Sequence, residues 1–199
     1  MDFDVPTELR AYLGVLDGFI EAEIVPLQAR DDNERFFDHR REHARTDWDN
    51  DGWPRPEWEA LLAEMRRRAD RAGHYRFALP SEIGGSDGTN LQMAVIREHL
   101  AAKGLGLHND LQNESSIVGN HPFIKMMLAK GTDAQKAEFI EPCLQGNRGV
   151  AFGLTEPEHG SDATHLDTTA VKDGDEWVIN GVKRFNTGMH HATHDMVYA

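Results

Sequence analysis

The sequence predicts an α+β chain: an all-α helical domain over residues 1–147, followed by antiparallel strands over 148–199. Three observations predict it. Apolar residues recur at three- and four-residue steps along several stretches before Leu144. From Gly149 the period changes to alternation around Trp177 and Ile179. Asp173-Gly174-Asp175 and Asn180-Gly181 are hairpin signals. Gly146 and Asn147 end the helical part, so the boundary falls near 146–149.

From Thr7 to Arg30, Leu9, Leu13, Leu16, Phe19, Ile20 and Ile24 share one helix face. Thr7 is the candidate cap, and Pro26 is placed to kink or stop the helix. Residues 31–56 are dense in charge, with Trp48 and Trp53 expected as anchors and a turn at Asp49-Asn50-Asp51-Gly52. Pro56 to Ala72 is a helix with a buried stripe of Trp58, Leu61, Leu62, Met65 and Ala69, ended by Gly73. Arg66-Arg67-Arg68 reads as a solvated face. Leu79 to Gly88 is a loop whose glycines do not form GxGxxG, and no P-loop lysine follows. Asn90 is expected to cap a helix running to about Lys103, with Leu91, Ala94, Val95, Glu98 and Leu100 along it. Asn109 to Val118 and Pro122 to Ala129 read as short helices, with Met126, Met127 and Leu128 as core. Thr132 to Leu144 is a further helix, with Thr132 or Asp133 as its cap.

Lys and Arg number 21 against 34 Asp and Glu, for a net charge of −13. Such a surface repels phosphate backbones and anionic lipids, which argues against nucleic-acid and membrane partners. With the single cysteine Cys143 there is neither an internal disulfide nor a CxxC site. The opening residues lack a basic-then-apolar leader, and no apolar run is long enough to span a bilayer. A cytoplasmic protein is the expectation. Asn113-Glu114-Ser115 matches a glycosylation acceptor, which is noise without secretion.

Two histidine groups offer metal-ligand side chains close in sequence. His39 and His43 are spaced to share a helix face, but no third ligand is spaced to help them. His190, His191, His194 and Asp195 form HHATHD, yet 11 histidines make a chance cluster easy. No metal is expected at either.

The stretch that organises the rest is Ala151 to Asp162, AFGLTEPEHGSD. A short apolar run stops at Thr155-Glu156-Pro157 and gives way to a polar loop. Pro157 biases Glu156 towards extended geometry and withdraws a donor. Gly160 lets the backbone approach something closely, and Thr155 and Ser161 offer hydroxyls. Such a loop suits a flat, polar-edged ligand; it equally suits an ordinary strand-to-loop turn.

FGLTEPEHGSD, the threonine-rich Asp167–Ala170 and WVINGVKRFNTG together resemble the middle domain of the acyl-CoA dehydrogenase family. The family pattern is an apolar run, TEP, a loop, GSD, then NG-x-K and an aromatic-x-Thr, and this order is specific. Leu79-Pro80-Ser81-Glu82-Ile83-Gly84-Gly85 and Lys130-Gly131-Thr132-Asp133-Ala134-Gln135-Lys136 resemble the family's N-terminal helical domain. The resemblance covers roughly residues 55–199, in a family whose members are about twice as long. It implies a partial β-barrel-like domain after residue 148 and FAD as cofactor. It implies that Phe152, Leu154 and Thr155 line the flavin, and that Gly160 and Ser161 close the loop, the serine on FAD or acyl-CoA. It implies that Phe185, where the family often has tryptophan, packs on the ring and that Thr187 bonds near N5. Without the cofactor, Phe152, Leu154 and Phe185 would serve as core residues. Asn186 has no role in this pattern.

In the family, a glutamate removes the α-proton of an acyl-CoA while the β-hydride goes to flavin N5, giving the trans-2-enoyl-CoA. Electrons pass on to an electron-transferring flavoprotein. That glutamate belongs to the C-terminal helical domain, so Glu156 is a motif residue and no catalytic residue is assigned. The resemblance thus implies an N-terminal portion, inactive alone and homo-oligomeric when full length. The alternatives are an accessory or split-subunit module and an acyl-CoA oxidase-type flavoenzyme.

Overall fold

Helix-forming apolar stripes occupy most of the first 144 residues, and a computed structural model shows what they pack against. It describes residues 4–38, 40–110, 115–190 and 192–199. Contacts divide the chain into two units, Met1–Lys125 and Met126–Ala199.

In the first unit, α1 (Thr7–Phe19) runs through a π turn (Ile20–Ile24) into α2 (Val25–Ala29). Thr7 does not cap it: Pro6 holds the N-cap position, without a side-chain bond. Nor does Pro26 stop the helix. It occupies the first turn of α2, where its missing N–H costs nothing, and the π turn before it absorbs the register change. Leu9, Leu13, Leu16, Ile20, Ile24 and Leu27 are buried, continuing the predicted stripe.

The charged stretch folds as a tight helical turn in which Asp31 and Asp32 take left-handed backbone (φ 54° and 60°), followed by α3 (Arg41–Arg45). A two-stranded hairpin of β1 (Thr46–Asp47) and β2 (Trp53–Pro54) follows, turning at 48–52 as expected. Trp48 and Trp53 are exposed and do not anchor the segment. Phe36 does: fully buried, its ring lies 5.2 Å from that of Trp58. Arg45 stacks over Trp58 at 4.1 Å and pairs with buried Asp110.

Helix α4 (Pro56–Arg71) buries the whole predicted stripe. Of Arg66-Arg67-Arg68 only Arg67 is exposed; Arg67 and Arg68 both bond Glu64, and Arg68 is half-buried and also pairs with Glu23, so the run is only in part a solvated face. The loop after it returns tightly. At Gly85 a Cβ would sit 1.9 Å from the Leu79 carbonyl oxygen, so only glycine fits. In α5 (Asn90–Ala102) the cap is Thr89, not Asn90: a capping box with Gln92 outcompetes the neighbouring asparagine. Its buried face is Met93, Ile96 and Leu100, and Leu91 is exposed.

The described residues of 109–118, namely 109–110 and 115–118, are not helical. β3 (Asn109–Asp110) pairs antiparallel with β4 (Ser115–Ser116), because Asn109 turns back on the Gly106 carbonyl and Ile117 bonds His108. Asn113-Glu114 lies outside the described residues, as does His39.

Helix α6 (Pro122–Lys130) spans the division between the units, with Met127 buried and Met126 and Leu128 half-buried. In the second unit, α7 (Asp133–Leu144) starts from a capping box on Thr132. Then β5 (Val150–Gly153) pairs in parallel with β8 (His194–Val197). Between them β6 (Thr169–Asp173) and β7 (Glu176–Asn180) form the antiparallel hairpin signalled by Asp173-Gly174-Asp175, with Gly174 at φ 60°. Asn180-Gly181 is not a turn. It ends β7, and Gly181 passes so near Thr168 that a Cβ would meet the hydroxyl at 2.2 Å.

Candidate functional site

The site begins where β5 stops. Along the strand Ala151 is buried, Phe152 is open to solvent and Gly153 is buried again, the alternation of a pleated strand. Phe152 is 47% exposed, and its ring lies 4.9 Å from that of Tyr198. Gly153 is closely packed: a Cβ there would come within 3.1–3.3 Å of the Asp195 carboxylate and the Asn186 amide, tight enough that these side chains would have to shift. Asn186 Nδ2 donates to Asp195 Oδ2 at 3.1 Å. The other oxygens, Asn186 Oδ1 and Asp195 Oδ1, are buried without a hydrogen-bond partner among the described residues.

Leu154 and Thr155 follow, both half-buried. Glu156 then does what the sequence did not disclose. Its carboxylate is buried (2% exposed) and takes three bonds. Lys183 Nζ donates to Oε1 at 2.7 Å, the Thr168 N–H to Oε1 at 2.8 Å, and the Asp167 N–H to Oε2 at 2.6 Å. Lys183 also bonds the Leu154 carbonyl at 3.2 Å, and the Glu156 N–H bonds the His159 carbonyl at 2.9 Å. The ammonium of Lys183, with the backbone donors, holds this carboxyl far below the usual carboxylate range. A carboxylate so paired is a poor base; it ties three segments together. The signal was available in the pairing of a glutamate in TEP with a lysine in NG-x-K, twenty-seven positions apart by their numbers.

The same tie brings the predicted residues of the two strand ends together. Arg184 N–H bonds the Thr155 carbonyl at 2.9 Å, so 183–187 runs beside 154–156. Phe185 takes left-handed backbone (φ 62°) and is 78% exposed, so it is no core residue. Arg184 lies 5.1 Å from its ring centre. Thr187 is exposed, and its N–H closes a tight turn on the Phe185 carbonyl. Gly160 and Ser161 are also exposed, and among the described residues no atom lies within 4 Å of a Cβ placed on Gly160.

HHATHD does not assemble a cluster among the described residues. His194 and Asp195 alternate along β8. The His194 ring packs 4.9 Å from Phe139, Asp195 turns to Asn186, and His191 lies outside the described residues. A different group does come together in the loop: His159, His165 and Asp167.

The family model for the acyl-CoA dehydrogenase N-terminal domain matches residues 26–147, and that for the acyl-CoA dehydrogenase middle domain matches 151–199. The chain belongs to the acyl-CoA dehydrogenase family. It is 34% identical over 138 residues to the 3-(aryl)acrylate reductase of Clostridium sporogenes, covering 68% of this chain and 35% of that protein. It is 30% identical over 136 residues to the caffeyl-CoA reductase-Etf complex subunit CarC of Acetobacterium woodii, with the same coverage. The solved butyryl-CoA dehydrogenase of Megasphaera elsdenii superposes with a TM-score of 0.56 at 25% identity, covering 96% of this chain and 44% of that one. The chain spans about a third of the length of the curated relatives it matches. Among the described residues, no helix is long and apolar enough to cross a membrane.

Proposed function

We propose that this chain supplies the N-terminal helical domain, to about residue 147, and the start of the flavin-binding middle domain of an FAD-dependent acyl-CoA dehydrogenase. The observation that carries the reading is the Glu156–Lys183 tie. It joins TEP to NG-x-K and so sets Phe152–Thr155 beside Phe185–Thr187. The residues present fit a flat, polar-edged group. Two aromatic rings stand open to solvent, two threonines flank them, and Asn186 Oδ1 is buried and unpaired.

A bound flavin would supply the hydride chemistry at the acyl-CoA Cα–Cβ bond. The chain's own part is binding and orientation. Phe152, Leu154 and Phe185 provide apolar contact, Thr155 and Thr187 provide hydroxyls, and Gly160 and Ser161 leave room at the loop for cofactor or acyl-CoA. Glu156 holds the loop and moves no proton. No residue here is assigned as the base, so turnover requires residues beyond those of this chain. Formation of enoyl-CoA by residues 1–199 at an ordinary enzymatic rate would refute that.

The names of the two relatives are those of reductases, and the solved neighbour is a dehydrogenase. Either direction uses the same kind of carbon–carbon bond, and for this chain the trans-2-enoyl-CoA is the oxidised partner in the reading proposed here. The Etf complex in the name of the second relative supports electron exchange with an electron-transferring flavoprotein. Homo-oligomerisation of the full-length protein and a cytoplasmic setting belong to the same reading.

The test is to mix residues 1–199 with FAD, remove free ligand and record the visible spectrum. A retained, shifted flavin band that is lost in the double variant Thr155→Ala, Thr187→Ala is the expected result. A folded chain that retains no flavin would overturn a self-sufficient site.

A further inference from the structure

The loop that Glu156 fastens carries three side chains with no part in the flavin reading. His159, His165 and Asp167 each offer one ligand atom, and these atoms all lie within 4.8 Å of one another. His159 Nε2 is 3.0 Å from Asp167 Oδ2, and the two imidazoles stack with centres 4.2 Å apart at 29°. We propose that His159, His165 and Asp167 form a divalent-metal site with the character of a zinc site.

The frame supports it from three sides. The His159 carbonyl accepts from the Glu156 N–H, and the Asp167 N–H donates to the Glu156 carboxylate. Two of the three ligands are thereby pinned by one buried residue. The third, His165, closes a turn on the Asp162 carbonyl at 3.2 Å, and Asp162 itself accepts from the Thr164 hydroxyl at 2.7 Å. Backbone positions are held by these bonds, while two of the three side chains, His165 and Asp167, are exposed, the first stacked on His159 and the second paired with it.

The donor set selects the ion. Two imidazoles and one carboxylate suit zinc and the later first-row metals; calcium and magnesium demand mostly oxygen. Zinc bonds of about 2.0–2.1 Å set tetrahedral ligand atoms roughly 3.4 Å apart. Rotation of the exposed His165 and Asp167 covers the difference. Three protein ligands leave a fourth position for water or another donor. A cation there would also neutralise part of the carboxylate charge of this loop, in a chain of net charge −13.

The test titrates Zn²⁺ into chelator-stripped residues 1–199 by calorimetry in a non-coordinating buffer. One ion per chain is expected, with affinity lowered at least about tenfold in His165→Ala and in Asp167→Asn. Both substitutions lie at exposed side chains and leave the Glu156 bonds to backbone untouched, and far-UV circular dichroism checks the fold. His190→Ala and His194→Ala should bind as the parent does. No binding by the parent, unchanged affinity in both ligand variants, or loss of binding in the His190 and His194 variants would each overturn the site.

Discussion

The two units treat equally clear apolar patterns in opposite ways. In residues 4–125 the three- and four-step stripes become a core, and Leu16, Phe36, Met65, Ile96 and Leu100 have no exposed surface. In the β6–β7 hairpin the alternation is just as legible, yet every residue of both strands is exposed. Trp177 keeps 63% of its surface in solvent. A pattern states which face is apolar. Burial needs a second layer to lie on it, and a two-stranded ladder has none of its own. What the second unit has instead at its strand ends is a buried polar tie, the Glu156–Lys183 pair, which holds three segments in one arrangement.

The widest gap between the units is expected from aromatic truncation. Phe36→Ala removes a fully buried ring packed on Trp58 and should cost about 3–5 kcal/mol in denaturant unfolding. Trp177→Ala, with more atoms removed, should stay within about 0.5 kcal/mol of the parent. Similar costs for the two would break the comparison, since the hairpin would then be covered.

Next comes the tie itself. Lys183→Met leaves the Glu156 carboxylate buried without its counter-charge, which is worse than replacing both partners. Faster amide exchange at Asp167 and Thr168 is expected, because their acceptor is the group disturbed. Glu156→Gln turns one acceptor oxygen into an amide donor facing either the Asp167 or the Thr168 N–H, so at least one of those two amides should exchange faster still. Unchanged exchange at both amides in Lys183→Met would show that the loop is held by something else.

The helical unit was largely legible because each stripe is local: Leu9 to Ile24 and Trp58 to Ala69 declare their faces within one helix. The misreadings have local causes too. Asn90 and Thr89 are both good caps, and only the Gln92 partner decides between them. Asn109 to Val118 reads as a helix in sequence, but among its described residues the Asn109 and Ile117 N–H groups bond the Gly106 and His108 carbonyls. At the candidate site, Phe152, Thr155, Phe185 and Thr187 were named from a motif. Their neighbourhood depends on the Glu156–Lys183 tie and the Arg184 N–H bond to the Thr155 carbonyl, between segments far apart in the chain, which no local signal carries. The His159–His165–Asp167 group escaped notice because its spacing matches no common ligand motif, and it forms only once Glu156 folds the loop back.

Acid offers a milder way to probe the helical side. Burial holds the imidazoles of His74 and His108 below their ordinary range, and does the same at His121. An unfolded histidine titrates near 6.5, so below that pH the unfolded chain takes up protons the folded one refuses. Their contribution is therefore full above about pH 6.5 and falls as the pH drops, by at most about 1.4 kcal/mol per pH unit for each residue. Urea midpoints at pH 7.5 and 5.5 measure it, above the range where carboxylates titrate. A midpoint that does not move would mean these rings charge as readily when folded as when unfolded.

The smallest effect is where the units should agree. Thr89 and Thr132 form the same capping box. Gln92 N–H donates to Thr89 Oγ1 at 3.2 Å and Gln135 N–H to Thr132 Oγ1 at 3.3 Å, with the glutamine oxygens accepting from the threonine N–H groups at 2.8 and 2.9 Å. A cap satisfies donors within one turn and asks nothing of a second layer. Thr89→Ala and Thr132→Ala should each cost about 1 kcal/mol, measured by amide exchange through the first turns of α5 and α7. Equal costs would confine the contrast between the units to long-range burial. A cost at Thr89 alone would mean that the second unit also gains less from its local bonds, because the helix they start is already opening by another route.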